Sequence, residues 1–388
     1  MTVRSGGAAI FALAALAVAA PVVARRPPCM TMLGLAVVAA DADPSGVPVG
    51  GISGIDYDPR TNSWILISDD KSDHAPARFW RAWIAVGRNG PREIALSPAT
   101  IIHTAAGNAF PKVGTGAEAI DAESIRFQPR HDLLTWSSEG DLRDAIGPSI
   151  RQMDRQGRFV SALPLPGTFA FDPQQARGPR PNLSIEGLSY TADGKMLWMA
   201  MEAPLFQDGP LSSSQEGADI RLTRIVPGSD APPAQYVYRV EHIGATAAGR
   251  LADNGASEIL AIDADHLLVL ERSGVQGDDG EFAFHSRLYC ADISDATDVT
   301  QSASLTGARY RRTTKALLFS FDDKAGVAWD NVEGMTWGPK LANGHRTLIF
   351  VTDDNFSPHQ STQIIVLDAG ELGRFTGTTK ALCDAGSE

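Results

Sequence analysis

Apolar and polar residues alternate in short runs along this chain, and turn-forming residues separate the runs. In the clearest stretch, the runs 184–190 and 195–202 flank a turn that contains Asp193 and Gly194. Two such runs around an Asp-Gly turn are typical of a β-hairpin. Two further strand-like runs follow in most comparable stretches, so the pattern predicts an all-β chain built from units of four strands.

One short phrase opens each unit, and an acidic residue follows it at the end of the second run. The five phrases centre on Ser53, Glu123, Glu186, Glu258 and Glu333, at intervals of 70, 63, 72 and 75 residues. The acids that follow are Asp69, Glu139, Glu202, Glu271 and Asp353, and the first three lie 16 residues after the phrase centre. Four-stranded units that repeat in this way predict a β-propeller with five visible blades, and a sixth, degenerate blade is left open. A generic β-sandwich is the alternative, which the shared offset disfavours.

The last unit is one strand short, and an unassigned apolar run at 32–38 precedes the first unit. We expect this N-terminal strand to complete the last blade, because closing the ring removes an exposed sheet edge. Long insertions are expected at 203–217 and 273–284. No linker divides the sequence, so residues 25–388 are predicted to form a single domain.

Residues 1–24 have the pattern of a secretory signal peptide. Arg4 precedes an apolar stretch from 8 to 20, and small residues follow before the polar restart at Arg25. This pattern predicts export to the periplasm or out of the cell. Thirteen apolar residues are too few for a helix that spans a membrane, so no stable membrane insertion is expected after cleavage. An uncleaved anchor is the alternative.

The net charge of −12 argues against nucleic acid as a partner, because a negative surface repels phosphate backbones. A small-molecule substrate fits better, although an anionic one would need a bound cation to reverse the local field. The three cysteines, Cys29, Cys290 and Cys383, have no metal-ligand spacing, and the sequence leaves their pairing open.

The repeated acids are the candidate chemistry. Equivalent positions on the innermost strands of a propeller converge at one end of its central channel, where clustered carboxylates repel each other. Raised pKa values, basic partners such as Lys71, Arg126 and Arg272, or a hard cation would relieve that repulsion. Several oxygen ligands without His or Cys suit Ca²⁺.

A structural role is the alternative for the phrase acids, which could bond to backbone N–H groups of a neighbouring blade; Glu258 has the weakest phrase. The candidate catalytic residues are Glu123, Glu186 and Glu333. The candidate metal ligands are Asp69, Asp70, Glu139, Glu202, Asp353, Asp354 and Asn355, and the acids doubled or followed by Asn at strand ends are the preferred ones among them.

The motifs of several other enzyme classes are absent from the sequence. The stretch Gly51-Ile52-Ser53-Gly54 fails the Gly-x-Ser-x-Gly pattern of serine hydrolases at its last position. The sequence contains no His-Glu-x-x-His motif, phosphate-binding loop or dinucleotide fingerprint.

The phrases at 121–127, 184–190, 331–337 and 351–356 resemble the phytase-like family described as having esterase-like activity, over roughly Leu33 to Asp368. The resemblance implies a secreted or periplasmic β-propeller, distantly related to calcium-dependent alkaline phytases. In those enzymes, channel carboxylates hold Ca²⁺ ions that bind phosphate and activate water. The motif of histidine acid phytases is absent, and the phosphate clamp of the alkaline phytases is not matched position by position.

The leading hypothesis is therefore a Ca²⁺-dependent hydrolase of phosphomonoesters. Two alternatives stay open. One is a non-catalytic periplasmic binding or scaffold propeller, and the other is a lactonase- or carboxylesterase-type propeller that acts on uncharged esters.

Overall fold

Five four-stranded antiparallel sheets form a five-bladed β-propeller in the computed structural model. The structure describes residues 1–2, 30–115, 118–172, 174–244, 251–322, 329–370 and 372. Apart from Met1 and Thr2, the predicted signal peptide lies outside the described residues, as do Cys29 and Cys383. Cys290 is disulfide-bonded.

The strands follow the chain in blade order after an N-terminal strand, β1 (Thr31–Val37). Blade one contains β2 (Ile52–Asp58), β3 (Ser63–Ser68), β4 (Arg78–Gly87) and β5 (Gly90–Leu96), and a short β6 (Thr100–Ile101) pairs with β4. Blade two contains β7 (Ala122–Phe127), β8 (Leu134–Ser138), β9 (Ser149–Met153) and β10 (Phe159–Leu163). Blade three contains β11 (Ile185–Tyr190), β12 (Leu197–Met201), β13 (Ala218–Ile225) and β14 (Ala234–Val240). Blade four contains β15 (Ala252–Ala261), β16 (His266–Gln276), β17 (Phe282–Asp292) and β18 (Thr314–Ser320). Blade five contains β19 (Asn331–Lys340), β20 (Arg346–Asp353) and β21 (Gln363–Asp368).

The N-terminal strand closes the propeller, as predicted. β1 pairs antiparallel with β21, with Met32 opposite Leu367 and Leu35 opposite Ile365, so that the last blade has the order β1-β21-β20-β19. The innermost strands β2, β7, β11, β15 and β19 contact one another in sequence, and β19 also contacts β2. No sixth sheet is found in the described part of the chain.

Apolar clusters between neighbouring blades hold the ring together. Leu268 and Phe319 of blade four pack with Met335 and Phe350 of blade five, for example. Because each sheet buries both of its faces against neighbours, its strands consist of nearly continuous apolar runs, such as Trp64 to Ile67 and Leu197 to Met201. None of the helices in the described ranges is long and apolar enough to cross a membrane.

One predicted insertion is confirmed and the other is wrong. Residues 203–217 connect β12 to β13 and include a short 3-10 helix, Phe206–Asp208. Residues 273–284, expected as a loop, instead extend β16 and β17 into a long hairpin whose turn covers only 277–281. Ser273 to Gln276 and Phe282 to Phe284 keep the antiparallel pairing, which the neighbouring glycines and aspartates obscured in the sequence.

Candidate functional site

A β-bulge interrupts every innermost strand at the repeated phrase. The pairing register shifts between Ile52 and Gly54, Ala122 and Ile125, Ile185 and Gly187, Ala256 and Glu258, and Val332 and Gly334. A bulge adds an unpaired residue and changes the direction of its side chain. The extra residue is Glu186 in blade three and Glu333 in blade five, so the bulge accounts for the special position of the phrase acid.

The glycine after the bulge lets the next blade approach. A Cβ atom on Gly187 would lie 2.8 Å from the backbone nitrogen of Ile259, and one on Gly334 would lie 2.9 Å from the carbonyl oxygen of Ser53. These contacts are with backbone atoms that cannot move aside, so a side chain at either position would force the blades apart.

In blade four, the bulge lies one residue earlier than the alignment of the repeated phrases predicts. Ser257, not Glu258, is the bulged residue, because Ala256 pairs with Glu271 and Glu258 pairs with Leu270. In blade three the equivalent pair is Ile185 and Met201, and the residue after Met201 is Glu202. The residue after Glu271 is Arg272, so Glu258 and Glu271 do not occupy the positions of the other repeated acids.

The remaining repeated acids meet at one end of the channel. Oxygen atoms lie within 4.8 Å of one another in each of three groups: Asp69, Glu123 and Glu333; Asp121, Glu123 and Glu139; and Glu139, Glu186 and Glu202. Asp353 lies beside them, and its charge adds to the effect of burial in raising the pKa of Asp69 well above its usual range. We call these eight residues the acidic cluster: Asp69, Asp121, Glu123, Glu139, Glu186, Glu202, Glu333 and Asp353. Glu123 and Glu139 each belong to two groups, so the groups form a continuous row.

Burial and mutual repulsion raise the pKa values of the clustered carboxyl groups. Burial raises the pKa values of Glu202 and Glu333 to about 7, although Arg272 opposes the shift for both. Burial and the charge of Glu186 raise the pKa of Glu123 well above its usual range, and burial with Glu202 does the same for Glu186. A hydrogen bond with Glu186 lowers the pKa of Glu202 without reversing the effect of burial. Near neutral pH, the metal-free cluster therefore retains protons.

Two basic side chains in the described residues pair with the acidic cluster. Lys71 Nζ lies 2.6 Å from Asp121 Oδ2, and Arg272 Nη2 lies 3.1 Å from Glu202 Oε1 and 3.5 Å from Glu333 Oε1. Arg272 thus occupies the blade-four position where other blades have an acid. Two cations cannot balance eight carboxylates, so the cluster must keep protons or bind a further cation.

Buried oxygen atoms at the cluster that have no hydrogen-bond donor in the described structure include Asp121 Oδ1 and Asn331 Oδ1. Asn331 donates from its Nδ2 to Glu333 Oε1 at 2.6 Å, so its oxygen is held beside the acids. A buried acceptor without a donor costs free energy, and a cation is one way to satisfy it. Sequence reasoning did not select either residue. The available signal was that Asp121 and Asn331 occupy the same place in their phrases, two residues before the acid.

The two pairs of adjacent acids, Asp69-Asp70 and Asp353-Asp354, each have one member in the cluster and one outside it. Asp69 and Asp353 belong to the cluster. Asp70 instead forms a buried ion pair with Arg78, and Asp354 Oδ1 accepts hydrogen bonds from the backbone nitrogens of Gly51 and Phe356. Asn355 donates to Gln360 Oε1 at an exposed position. The structure therefore brings Asp69, Glu139, Glu202 and Asp353 together but not Asp70, Asp354 and Asn355.

Glu258 and Glu271 have structural partners instead. Glu258 forms a buried ion pair with Arg126 and accepts a hydrogen bond from the backbone nitrogen of Leu188 at 3.1 Å. Glu271 accepts a hydrogen bond from Tyr238 Oη at 2.6 Å and pairs with Lys315 at 2.6 Å. The structural alternative raised for Glu258 thus agrees with its contacts.

Arg126 lies across the channel, below the acidic cluster. Its guanidinium donates to the carbonyl oxygens of Ile55 and Leu188, each at 2.5 Å, and approaches that of Ile259 at 3.5 Å. These residues belong to the inner strands of blades one, three and four. The Arg126–Glu258 pair therefore closes the channel between its two ends, and we call it the channel plug.

A pocket of about 290 Å³ opens beside the acidic cluster. Asp121 and Glu139 of the cluster form part of its wall, and Lys71, Arg143 and Asn182 form another part. Lys71 Nζ also donates to Asn182 Oδ1 at 2.7 Å, which fixes the ammonium group at the pocket edge. The pocket offers a small molecule access to both carboxylates and cations.

Residues 47–356 match the phytase-like family, described as esterase-like activity of phytase. No curated protein sequence matches the chain.

Among solved structures, the catalytic domain of Coprinopsis cinerea GH62 alpha-L-arabinofuranosidase is similar at 10% identity and a TM-score of 0.34, over 81% of this chain and 91% of that one. An ancestral GH74 enzyme is similar at 10% identity and a TM-score of 0.27, over 85% of this chain and 53% of that one. These scores are too low to bear on activity.

Proposed function

This chain belongs to the phytase-like family of hydrolase-type propellers, and we propose that its acidic cluster binds Ca²⁺ and hydrolyses phosphomonoesters. The observation that carries the proposal is the row of three overlapping carboxylate groups, each with oxygen atoms within 4.8 Å of one another. The predicted signal peptide supports action outside the cytoplasm.

The residues present fit a hard divalent cation. All candidate ligands are oxygen atoms, and Ca²⁺ takes six to eight of them at flexible geometry. Asp69, Asp121, Glu123 and Glu139 would hold it, with the unpartnered oxygens of Asp121 and Asn331 available beside them, and this leaves Glu333 free of the metal. When bound, Ca²⁺ would neutralise substrate charge and lower the pKa of an attacking water.

The chain's own groups supply the remaining chemistry. Lys71 and Arg143 border the pocket beside the cluster and would orient the anionic phosphate group there. Glu333, held by Asn331 and Arg272, would accept the proton of the attacking water as the water oxygen bonds to phosphorus. The bond from phosphorus to the alcohol oxygen breaks, the departing alkoxide takes a proton from solvent water, and Glu333 returns the proton it accepted to solvent. In the metal-free protein, burial raises the pKa of Glu333 to about 7, which makes this carboxylate a stronger base than an exposed one.

The test compares p-nitrophenyl phosphate with p-nitrophenyl acetate, each with added Ca²⁺ and with a chelator. We expect Ca²⁺ to support turnover of the phosphate, the chelator to abolish it and re-added Ca²⁺ to restore it. Glu333→Gln should lower kcat by at least about 100-fold, because removing a positioned general base has that effect. Asp354→Asn is the matched control, since Asp354 lies outside the cluster.

Two outcomes would contradict the proposal. Turnover of the acetate alone would favour a lactonase- or carboxylesterase-type propeller. Ca²⁺ binding without turnover of either ester, from neutral to alkaline pH, would favour a binding or scaffold propeller. Arg272 provides a physical basis for the second result, because it already neutralises part of the cluster by pairing with both Glu202 and Glu333.

A further inference from the structure

A second cavity lies at the end of the channel away from the acidic cluster. Its volume is about 800 Å³, within the range of small-molecule sites. The ends of all five innermost strands line it, whereas their beginnings carry the acidic cluster. Tyr57 lies four residues after the bulged Ser53, which separates the two levels by roughly 13 Å at the rise of a β-strand.

The channel plug separates this cavity from the acidic cluster. Arg126 lies at the cavity floor, where its guanidinium is fully engaged by the carbonyl oxygens of Ile55 and Leu188 and by Glu258. No residue lines both this cavity and the pocket beside the acidic cluster, and the channel plug lies between them. The cavity is a separate site rather than an extension of the first.

Aromatic residues border the cavity, and Tyr57 and Trp337 are the partly exposed ones, whereas Phe127 and Tyr190 are mostly buried between blades. Four of the five repeated phrases end in an aromatic residue, and these residues are Tyr57, Phe127, Tyr190 and Trp337. Blade four has Ala261 at the equivalent place. Trp337 Nε1 donates to the carbonyl oxygen of Ala261 at 3.2 Å, so the wall is held in position.

Among the described residues, the charged side chains that border this cavity without an ion-pair or hydrogen-bond partner are basic. The Arg346 guanidinium stacks 4.4 Å from the centre of the Trp337 ring, and no described carboxylate lies within ion-pair distance of it. Burial lowers the pKa of Arg346 to about 10. Lys340 also borders the cavity, whereas Arg60 is already paired with Asp58. Of the two acids that border the cavity, Asp58 has this partner, and Asp56 accepts hydrogen bonds from Phe127 N and Thr336 Oγ1, both at 2.8 Å.

We propose that this cavity binds an amphipathic organic anion, with a flat apolar body against the aromatic wall and a single anionic group on Arg346. The planar guanidinium can form two parallel hydrogen bonds to a carboxylate or a phosphate, and its stacking on Trp337 orients it for that contact. A partly buried cation without an acidic partner is stabilised by such a ligand. On a protein of net charge −12, this local positive charge contrasts with the overall field.

Isothermal titration calorimetry with 1-naphthoate tests the proposal, with neutral 1-naphthylmethanol and inorganic phosphate as comparison ligands. We expect saturable binding of 1-naphthoate and at least about tenfold weaker binding of each comparison ligand, because each lacks one half of the recognition. Binding of 1-naphthoate should be the same with Ca²⁺ and with a chelator, since the channel plug isolates the cavity.

Arg346→Gln should weaken 1-naphthoate binding at least about tenfold, and Arg346→Lys should recover part of the loss. Arg92→Gln, on the exposed face of β5, is the matched control and should leave the affinity unchanged. Equal affinity of Arg346→Gln and the parent protein would overturn the proposal, provided that their melting temperatures agree. Equal binding of the neutral analogue, absence of binding or loss of binding in the chelator would also overturn it. None of these results depends on ester hydrolysis at the acidic cluster.

Discussion

The two ends of the central channel are built from the same repeated phrase but have opposite chemistry. At the beginning of the inner strands, Glu123, Glu186 and Glu333 project from bulges into a crowded acidic cluster. At the ends of the same strands, Tyr57 and Trp337 help to line a largely apolar cavity with unpaired positive charge. A phrase that starts with an acid and finishes with an aromatic residue therefore produces two different sites when it is repeated around an axis.

The comparison shows that repetition around an axis has different energetic consequences for charged and for aromatic side chains. Placing one carboxylate in every blade concentrates repulsion at the axis, so that end needs protons, basic partners or a metal. Placing one aromatic ring in every blade only adds packing surface. Blade four reduces the crowding at both ends, with Ser257 and Arg272 at the acidic level and Ala261 at the aromatic level.

The largest expected effect comes from breaking the channel plug that keeps the two ends apart. Arg126→Met removes the donors to Ile55 and Leu188 and leaves Glu258 buried without its cation. We expect the free energy of unfolding to fall by about 3–5 kcal/mol, as is usual when one member of a buried ion pair is lost. Chemical denaturation measures the change.

A double-mutant cycle with Glu258→Gln refines that experiment. The double variant should lose less stability than the sum of the single changes, because it leaves no unpaired buried charge. The exposed Arg92→Met is the control and should cost under about 0.5 kcal/mol. Additive losses would mean that Arg126 and Glu258 act independently, and the plug would then not be a unit.

The pH dependence of stability should distinguish the acidic end from the rest of the fold. Burial raises the pKa values of Glu202 and Glu333 from 4.5 to about 7 in the folded, metal-free state. Their stabilising contribution is therefore complete below about pH 4.5 and is lost as the pH rises through 7. In a chelator, the melting temperature should fall between pH 5.5 and 8.5, and Ca²⁺ should raise it more at pH 8.5 than at pH 5.5.

Two glutamine variants test the origin of that slope. Glu202→Gln cannot ionise and should flatten the decline, whereas Glu216→Gln, whose side chain is 78% exposed, should leave it unchanged. A metal-free protein that is equally stable at both pH values would contradict the expected charge state of the cluster.

The architecture could be predicted from the sequence because the repeat is regular. The sequence was least informative where the register between paired strands decides which side chain enters the channel. The five blades and the closing strand follow from the spacing of the phrases. The one-residue offset of blade four does not, because Ser257 and Glu258 are adjacent and only the register shows which of them bulges. The second cavity was also missed, since the aromatic residues that border it, such as Phe127 and Tyr190, follow the apolar pattern of the core, in which they are largely buried.

The smallest effect concerns the doubled acids, which look equivalent in the sequence. Successive side chains at a strand end point in opposite directions, so Asp69 joins the acidic cluster while Asp70 pairs with Arg78. Likewise, Asp354 turns to backbone donors next to Asp353. We expect Asp69→Asn to weaken Ca²⁺ binding by about tenfold, because affinity follows the number of charged ligands. Asp354→Asn keeps an acceptor oxygen for Gly51 N and should change the affinity less than about twofold. Calorimetric Ca²⁺ titration of both variants decides the matter, and equal losses would place Asp354 among the ligands after all.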